Sequence, residues 1–232
     1  MILPTPRAIL FDWDNTLVDS WALIHHAMTA TFKALGQRPW TLEETRQNVR
    51  KSARDSFPEL FGERAEEATA VFYRTYEADH LKQLRALPGA AEMLQALAAA
   101  DDLLLGVVSN KRASLLRLEA AELGWDRYFG PLVGATDAEK DKPAREVVDF
   151  ALAGTGIAPG PEVWFVGDTD IDILCAGNSG CTAVLVRAEP PAEGEFGNLP
   201  LGGHVSDCRA FAQLTLSALE IGKVEQQIRD FS

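Results

Sequence analysis

The sequence predicts an α/β protein: a Rossmann-like parallel sheet core with helices on both faces and an inserted α-helical unit. Two observations carry this. From Gly89 onward, short apolar runs alternate with helical patterns, as expected where parallel strands are covered on both sides. Between Ser20 and Ala86 there is no strand signal, only helical periodicity. At 232 residues and 47% hydrophobic content, the chain can hold a core at 1–19 and 87–232 and a smaller helical unit at 20–86.

The elements follow in order. Ile9, Leu10 and Phe11 suit a strand buried on both faces. Ser20 is placed to cap a helix running to Leu35, with Ile24, Met28, Phe32 and Leu35 on one face and Gly36 as its stop. Thr41 and Glu44 have capping-box spacing for a second helix, and a longer helix spans Glu63 to Leu84. Pro88-Gly89 then marks a turn. Helices over Ala90 to Ala99, Ala113 to Leu123 and Ala144 to Ala153 alternate with strands over Leu103 to Val108, Leu132-Val133 and Val163 to Val166. A short helix through Leu174, a strand from Thr182 to Val186, an edge strand at Val205 and a helix from Arg209 to Ile221 complete the pattern. Ala188 to Gly203, rich in Pro, Gly and Glu, is expected to be a loop.

Composition narrows the function. A formal net charge of -12 opposes a general nucleic-acid binder, which gains from counterion release at a basic face. No apolar run approaches the roughly 20 residues of a membrane helix. The N-terminus lacks the pattern of a signal peptide. Cys175, Cys181 and Cys208 contain no CxxC pair, so neither a disulfide framework nor a zinc site is indicated. A cytoplasmic location is the simplest expectation.

Chemistry gathers at the carboxyl ends of the strands, where ligands bind in such sheets. The first strand ends in Asp12 and Asp14, which an extended chain aims roughly the same way. Two carboxylates about 4 Å apart repel by about 4 kcal/mol at an effective dielectric of ~20, so a cation, a shared proton or a wet turn is required. The second strong strand ends in Ser109-Asn110-Lys111-Arg112, and the strand at Val163 ends in Gly167-Asp168-Thr169-Asp170-Ile171-Asp172. Lys142-Pro143 opens the helix between the last two strands and adds a cation. This set suits a dianionic phosphate and a hard divalent metal, since magnesium prefers oxygen ligands and often uses only one or two carboxylates.

These stretches resemble, in order and spacing, the four motifs of the haloacid dehalogenase superfamily, in the branch containing phosphoglycolate phosphatases. Its DxDx(T/V) motif is matched by Asp12-Trp13-Asp14-Asn15-Thr16, its Ser/Thr motif by Ser109-Asn110, its lysine motif by Lys142-Pro143, and its GDxxxD motif by Gly167-Asp168 with Asp172. The helical insert is similar to that branch's cap domain. The resemblance implies a phosphatase acting on a small phosphorylated metabolite, with phosphoglycolate one candidate. Asp12 would be the nucleophile that forms an aspartyl phosphate, and Asp14 the general acid and base. Mg2+ would be held by Asp12, the Asp14 backbone carbonyl and Asp168. Ser109, the backbone amides around Asn110, and Lys142 would bind the phosphoryl oxygens, and Asp172 would orient Lys142 or a metal-bound water. A sugar-phosphate mutase and a non-catalytic phospho-aspartate regulator are the alternatives. Trp13, Asn15 and Ala144 depart from the common pattern without removing a required group. Arg50, Lys51 and Arg54 are candidates for a second anionic group of the substrate, set against a plain solvated basic face.

Overall fold

The computed structural model describes residues 3–230. Its six strands are β1 (Ala8–Phe11), β2 (Leu104–Arg112), β3 (Leu132–Ala135), β4 (Val163–Gly167), β5 (Thr182–Val186) and β6 (Gly203–Val205). They form one sheet in the order β3-β2-β1-β4-β5-β6, and every neighbouring pair is parallel. The strand order reverses between β1 and β4. The crevice at that reversal, outside the carboxyl ends, is where such sheets bind ligands.

Alternation along the strands makes two cores. Ile9 and Phe11 point to one face, where they meet Trp13, Leu94, Leu97, Trp164 and Phe211; Ala8 and Leu10 point to the other, with Val148, Phe165 and Ile173. Five helices cover these faces: α5 (Ala90–Ala98), α6 (Ala113–Glu122), α7 (Glu146–Leu152), α8 (Asp170–Ser179) and α9 (Cys208–Asp230). Both faces of β1 are therefore dry, as its unbroken apolar run requires. The cysteines are buried and free. Among the described residues, no helix is long and apolar enough to cross a membrane.

Four helices stand between β1 and α5: α1 (Trp21–Ala34), α2 (Leu42–Asn48), α3 (Ala53–Phe61) and α4 (Ala65–Gln83). Helices α1, α3 and α4 share a separate apolar cluster that includes Ile24, Met28, Phe32, Phe57, Phe61 and Tyr76 and touches the core through Leu115. The expected capping box is present: Thr41 N–H donates to Glu44 at 2.7 Å and Glu44 N–H to Thr41 Oγ1 at 3.1 Å. The chain enters and leaves this helical layer side by side. Val18 bridges Ala86 antiparallel, Asp19 N–H donates to Arg85 O and Leu87 N–H to Leu17 O, both at 2.9 Å.

Several elements differ from expectation: α8 runs on to Ser179 and α9 to Asp230, and three others differ near the site or in the insertion. Helix α3, where no separate helix was expected, runs through Pro58, a residue that opposes helix; Phe57 and Phe61 are buried beside it, and that packing outweighs the lost backbone donor. Strand β2 continues through Ser109 and Asn110 to Arg112, with a register shift against β3 after Val108, so these residues lie within an irregular strand end. The helix expected at Ala144 begins at Glu146, which leaves Lys142 in the turn ahead of it.

Candidate active site

Asp12 follows β1 directly, and its N–H still donates to Val166 O at 2.7 Å. The ladder with β4 thus fixes its backbone at the switch point, next to Asp168 at the end of β4. The turn beyond is made by Asn15 at φ +63°, a left-handed conformation that Asn tolerates better than most side chains. Asn15 N–H donates to Val18 O at 2.6 Å, and its Oδ1 accepts from Ser20 N–H at 3.2 Å. The substitution noted at this position therefore keeps the turn.

Lys142 is the buried hub of one half of the site. Its Nζ lies 2.7 Å from Asp12 Oδ1 and 2.8 Å from Asp172 Oδ1. Asn110 locks the lysine's backbone: Oδ1 accepts from Lys142 N–H at 2.9 Å, and Nδ2 donates to Lys142 O at 3.1 Å. The same Nδ2 reaches Arg50 O in the helical layer at 3.3 Å. Asp172 has its other oxygen committed to Thr169 N–H at 3.1 Å and Thr169 Oγ1 at 3.0 Å. Gly167 makes room for it, since a Cβ there would fall 2.2 Å from Asp172 Cγ.

Electrostatics follow from this crowding. Burial pushes the Asp12 carboxyl up, Lys142 draws it back, and Asp172 and then Asp14 push it again, to about 6. Burial, then Asp172 and Asp12, hold Asp168 well above the carboxylate range. Burial works to lower the Lys142 ammonium, but Asp12 and Asp172 outweigh it and hold its pKa above the usual lysine range. Asp14 raises Asp12 less than burial and Asp172 do. Each of the two carboxylates also has its own lysine, Lys142 for Asp12 and Lys111 for Asp14.

Lys111 serves Asp14. Its Nζ lies 2.7 Å from Asp14 Oδ1, 2.6 Å from Glu119 Oε2 and 2.7 Å from Tyr76 OH. Glu119, 1% exposed, also accepts from Trp13 Nε1 at 2.8 Å and pairs with His80 Nδ1 at 3.1 Å. Ser20 Oγ donates to Asp14 as well. Lys111, Glu119, Tyr76 and His80 were not among the site residues expected from sequence. One signal was available: Glu119 stands on the apolar stripe of α6, three and four residues after Leu116 and Leu115.

Of the expected residues, Asp12, Asp14, Ser109, Asn110, Lys142 and Asp168 all line one cavity of about 120 Å³ between the sheet and the helical layer. Asp172 lies behind Lys142, fully buried. Ser109 is 5% exposed, and its Oγ accepts from Lys111 N–H at 3.2 Å, which leaves its hydroxyl hydrogen free to donate. Carboxylate oxygens of Asp12, Asp168 and Asp172 lie within 4.8 Å of one another. The third carboxylate of this cluster is thus Asp172; that of Asp14 is held by Lys111. The donor set is oxygen only, Lys142 meets Asp12 and Asp172, and among the described residues Asp168 is met by a single long hydrogen bond, from Thr16 Oγ1 at 3.4 Å. These residues fit a small, hard divalent cation.

A doubly covered parallel sheet with carboxylates and a lysine at its switch point, roofed by helices, defines an α/β enzyme working at the carboxyl edge of its strands. The chain belongs to the haloacid dehalogenase-like hydrolases, whose family model matches residues 9–186. It is similar to a phosphoglycolate phosphatase of Xanthomonas campestris pv. campestris, 32% identical over 183 residues that cover 77% of this chain and 82% of that protein. It is also similar to the pyrophosphatase PpaX of Halalkalibacterium halodurans, 28% identical over 180 residues, 78% of this chain and 83% of that one. Among solved structures, a haloacid dehalogenase-like hydrolase from Bacteroides fragilis superposes with a TM-score of 0.80 at 21% identity, over 90% of this chain and 99% of that one. One from Streptococcus pneumoniae gives 0.77 at 24%, over 90% and 98%. These two likenesses concern the fold.

Proposed function

We propose that this chain is a magnesium-dependent phosphatase that hydrolyses a small phosphate monoester through an aspartyl phosphate on Asp12. The observation that carries this is Asp12 itself: fixed by the sheet ladder, facing the cavity, with one oxygen on Lys142 and the other free to attack. Residues 20–86 are the cap, and 1–19 with 87–232 the catalytic core.

In the first step an Asp12 oxygen forms a bond to phosphorus as the bond to the leaving oxygen breaks, and Asp14, as general acid, gives that oxygen a proton. In the second, water attacks the phosphoenzyme, Asp14 takes the water's proton, and the Asp12–phosphorus bond breaks to release phosphate. Ser109, the amides around Asn110, and Lys142 bind the transferring oxygens as charge shifts among them. Lys111 and Ser20 aim Asp14. Both oxygens of Asp172 are engaged, so its role is to position Lys142. Magnesium would be held by Asp12, Asp168 and the Asp14 main-chain carbonyl, and supplies the charge that lets an anionic nucleophile approach an anionic phosphate. The substrate is a small phosphorylated metabolite met in the cytoplasm.

The test is phosphate release from a panel of small monoesters, with and without Mg2+, using Asp12→Asn as the blank. Turnover that needs both the metal and Asp12 is expected. Near-normal turnover by Asp12→Asn rejects the nucleophile, and labelled phosphate recovered in an isomeric sugar phosphate identifies a mutase.

A further inference from the structure

We propose that the leaving group accepted by this site is short, apolar and free of a second negative charge, an alkyl or arylalkyl alcohol in preference to glycolate or a second phosphate. This deepens the phosphatase reading above and rests on it.

The cavity has two unlike ends. At the sheet stand Asp12, Asp168 and Lys142, suited to metal and phosphoryl group. Opposite them, the helical layer contributes Ile24 and Met28 from α1, Phe57 and Leu60 from α3, and Phe72 from α4. A leaving group attached to a phosphate on Asp12 extends towards this second wall. A carboxylate pressed against Phe57 and Met28 would lose its hydration, and the nearby Asn48 and Ser56 already donate to Glu44 O and Ser52 O, whereas an alkyl chain gains by leaving water.

Five cations line the cavity, and each is already matched by a carboxylate of the chain. Lys142 lies between Asp12 and Asp172, and Lys111 between Asp14 and Glu119. Arg50 pairs with Asp170 at 3.2 Å and Lys51 with Glu59 at 2.9 Å. Arg112 pairs with Glu77 at 3.1 Å, and its Cζ lies over the Tyr73 ring, 3.2 Å from the centroid. Among the described residues lining the cavity, no cation is left over for a second anionic group. The outer pairs are half exposed and weak, but a substrate anion that displaced Glu59 or Glu77 would exchange one carboxylate for another and leave the first close by. The volume sets the length. About 120 Å³, less than the ~150 Å³ of an apolar cavity that takes up benzene, must hold the phosphoryl group as well, so the leaving group is limited to a few carbons, or to one ring that reaches past the exposed edge at Leu60.

The experiment compares kcat/KM, at saturating Mg2+, for propyl phosphate and benzyl phosphate against phosphoglycolate and pyrophosphate. Propyl phosphate and phosphoglycolate are close in size and differ mainly in the charge at the far end. The neutral-tailed pair is expected to be favoured about tenfold or more, through KM, the scale on which one pocket contact discriminates. Leu60→Lys adds an unmatched cation at a residue that lines the cavity yet is 37% exposed; it should narrow or invert the preference. Wild-type preference for phosphoglycolate or pyrophosphate overturns this inference and leaves the phosphatase reading intact. Turnover of none of the four compounds overturns both.

Discussion

Replacing Lys111 with Met tests whether the buried network around Asp14 is held by charge. The ammonium sits 2.7 Å from Asp14 and 2.6 Å from Glu119, and side-chain exposures of 4% for Lys111 and 1% for Glu119 leave water almost no access. Removing one partner of a buried pair strands the other charge and costs about 3–5 kcal/mol. For a domain of this size each kcal/mol moves the thermal midpoint by about 2–4 °C, so a drop of about 6–20 °C is expected. The double variant Lys111→Met with Glu119→Gln removes the stranded charge. It should recover most of the midpoint, because residues in one network are not additive. Activity should not recover, since Asp14 still lacks its cation. Thermal unfolding and phosphate release on wild type, both single variants and the double variant separate the two effects. A Lys111→Met midpoint within about 2 °C of wild type, well below the expected range, would refute the buried-charge account.

Further outcomes follow from the same geometry. Lys142→Met leaves Asp12 and Asp172 buried together without their ammonium, at a cost of about 3–5 kcal/mol and a rate loss of about a hundredfold or more. Added Mg2+ should restore part of the midpoint, and an equal midpoint with and without the metal would contradict the proposed metal position. The sign of the pH dependence is fixed by Asp12. Its folded value of about 6 exceeds the ordinary 3.8, so the metal-free native state holds more protons than the unfolded chain between these values and loses stability as pH rises through that window. Metal binding needs the ionised carboxylates, so the midpoint gain from Mg2+ should be larger at about pH 7.5 than at about pH 5; identical gains would remove the linkage. Trp13→Phe deprives Glu119 of the indole N–H at 2.8 Å and should cost about 1–3 kcal/mol, measured by denaturant unfolding.

The legible parts of the fold were those with local causes. An apolar strand broken abruptly by Asp12, and another by Asp168, announce themselves because burial and polarity change within one residue. Thr41 and Glu44 announce a helix because a capping box closes over a few residues. Lys111 was hidden because it sits in a polar run and its partners are remote: Glu119 lies on the next helix, and Tyr76 and His80 on α4, before β2 in the chain. Helix α3 was hidden by Pro58, whose local effect opposes helix and is overridden only by aromatic packing with Phe32 and Phe72. The pairing of Asp12 and Asp14 illustrates the same boundary. That two adjacent carboxylates need compensation is evident from Coulomb's law, but that two separate lysines meet them depends on how β2 and the turn before α7 arrive at β1.

The paired crossing at Val18 and Ala86 has a consequence for how this protein can change. Asp19 N–H and Arg85 O are 2.9 Å apart, so the ends of the helical insertion meet at one point, as the ends of a surface loop would. Such an insertion places little demand on the strands beneath it, whatever its length, because the chain returns to where it left. On the proposed reading, the apolar wall of Ile24, Met28, Phe57, Leu60 and Phe72 can therefore be redrawn between those two points while β1, β2 and β4 keep Asp12, Ser109 and Asp168 where they are. The exchange has a boundary: Ser20, Tyr76 and His80 lie inside the insertion and hold the Asp14–Lys111–Glu119 network, so those three must stay if the chemistry is to stay.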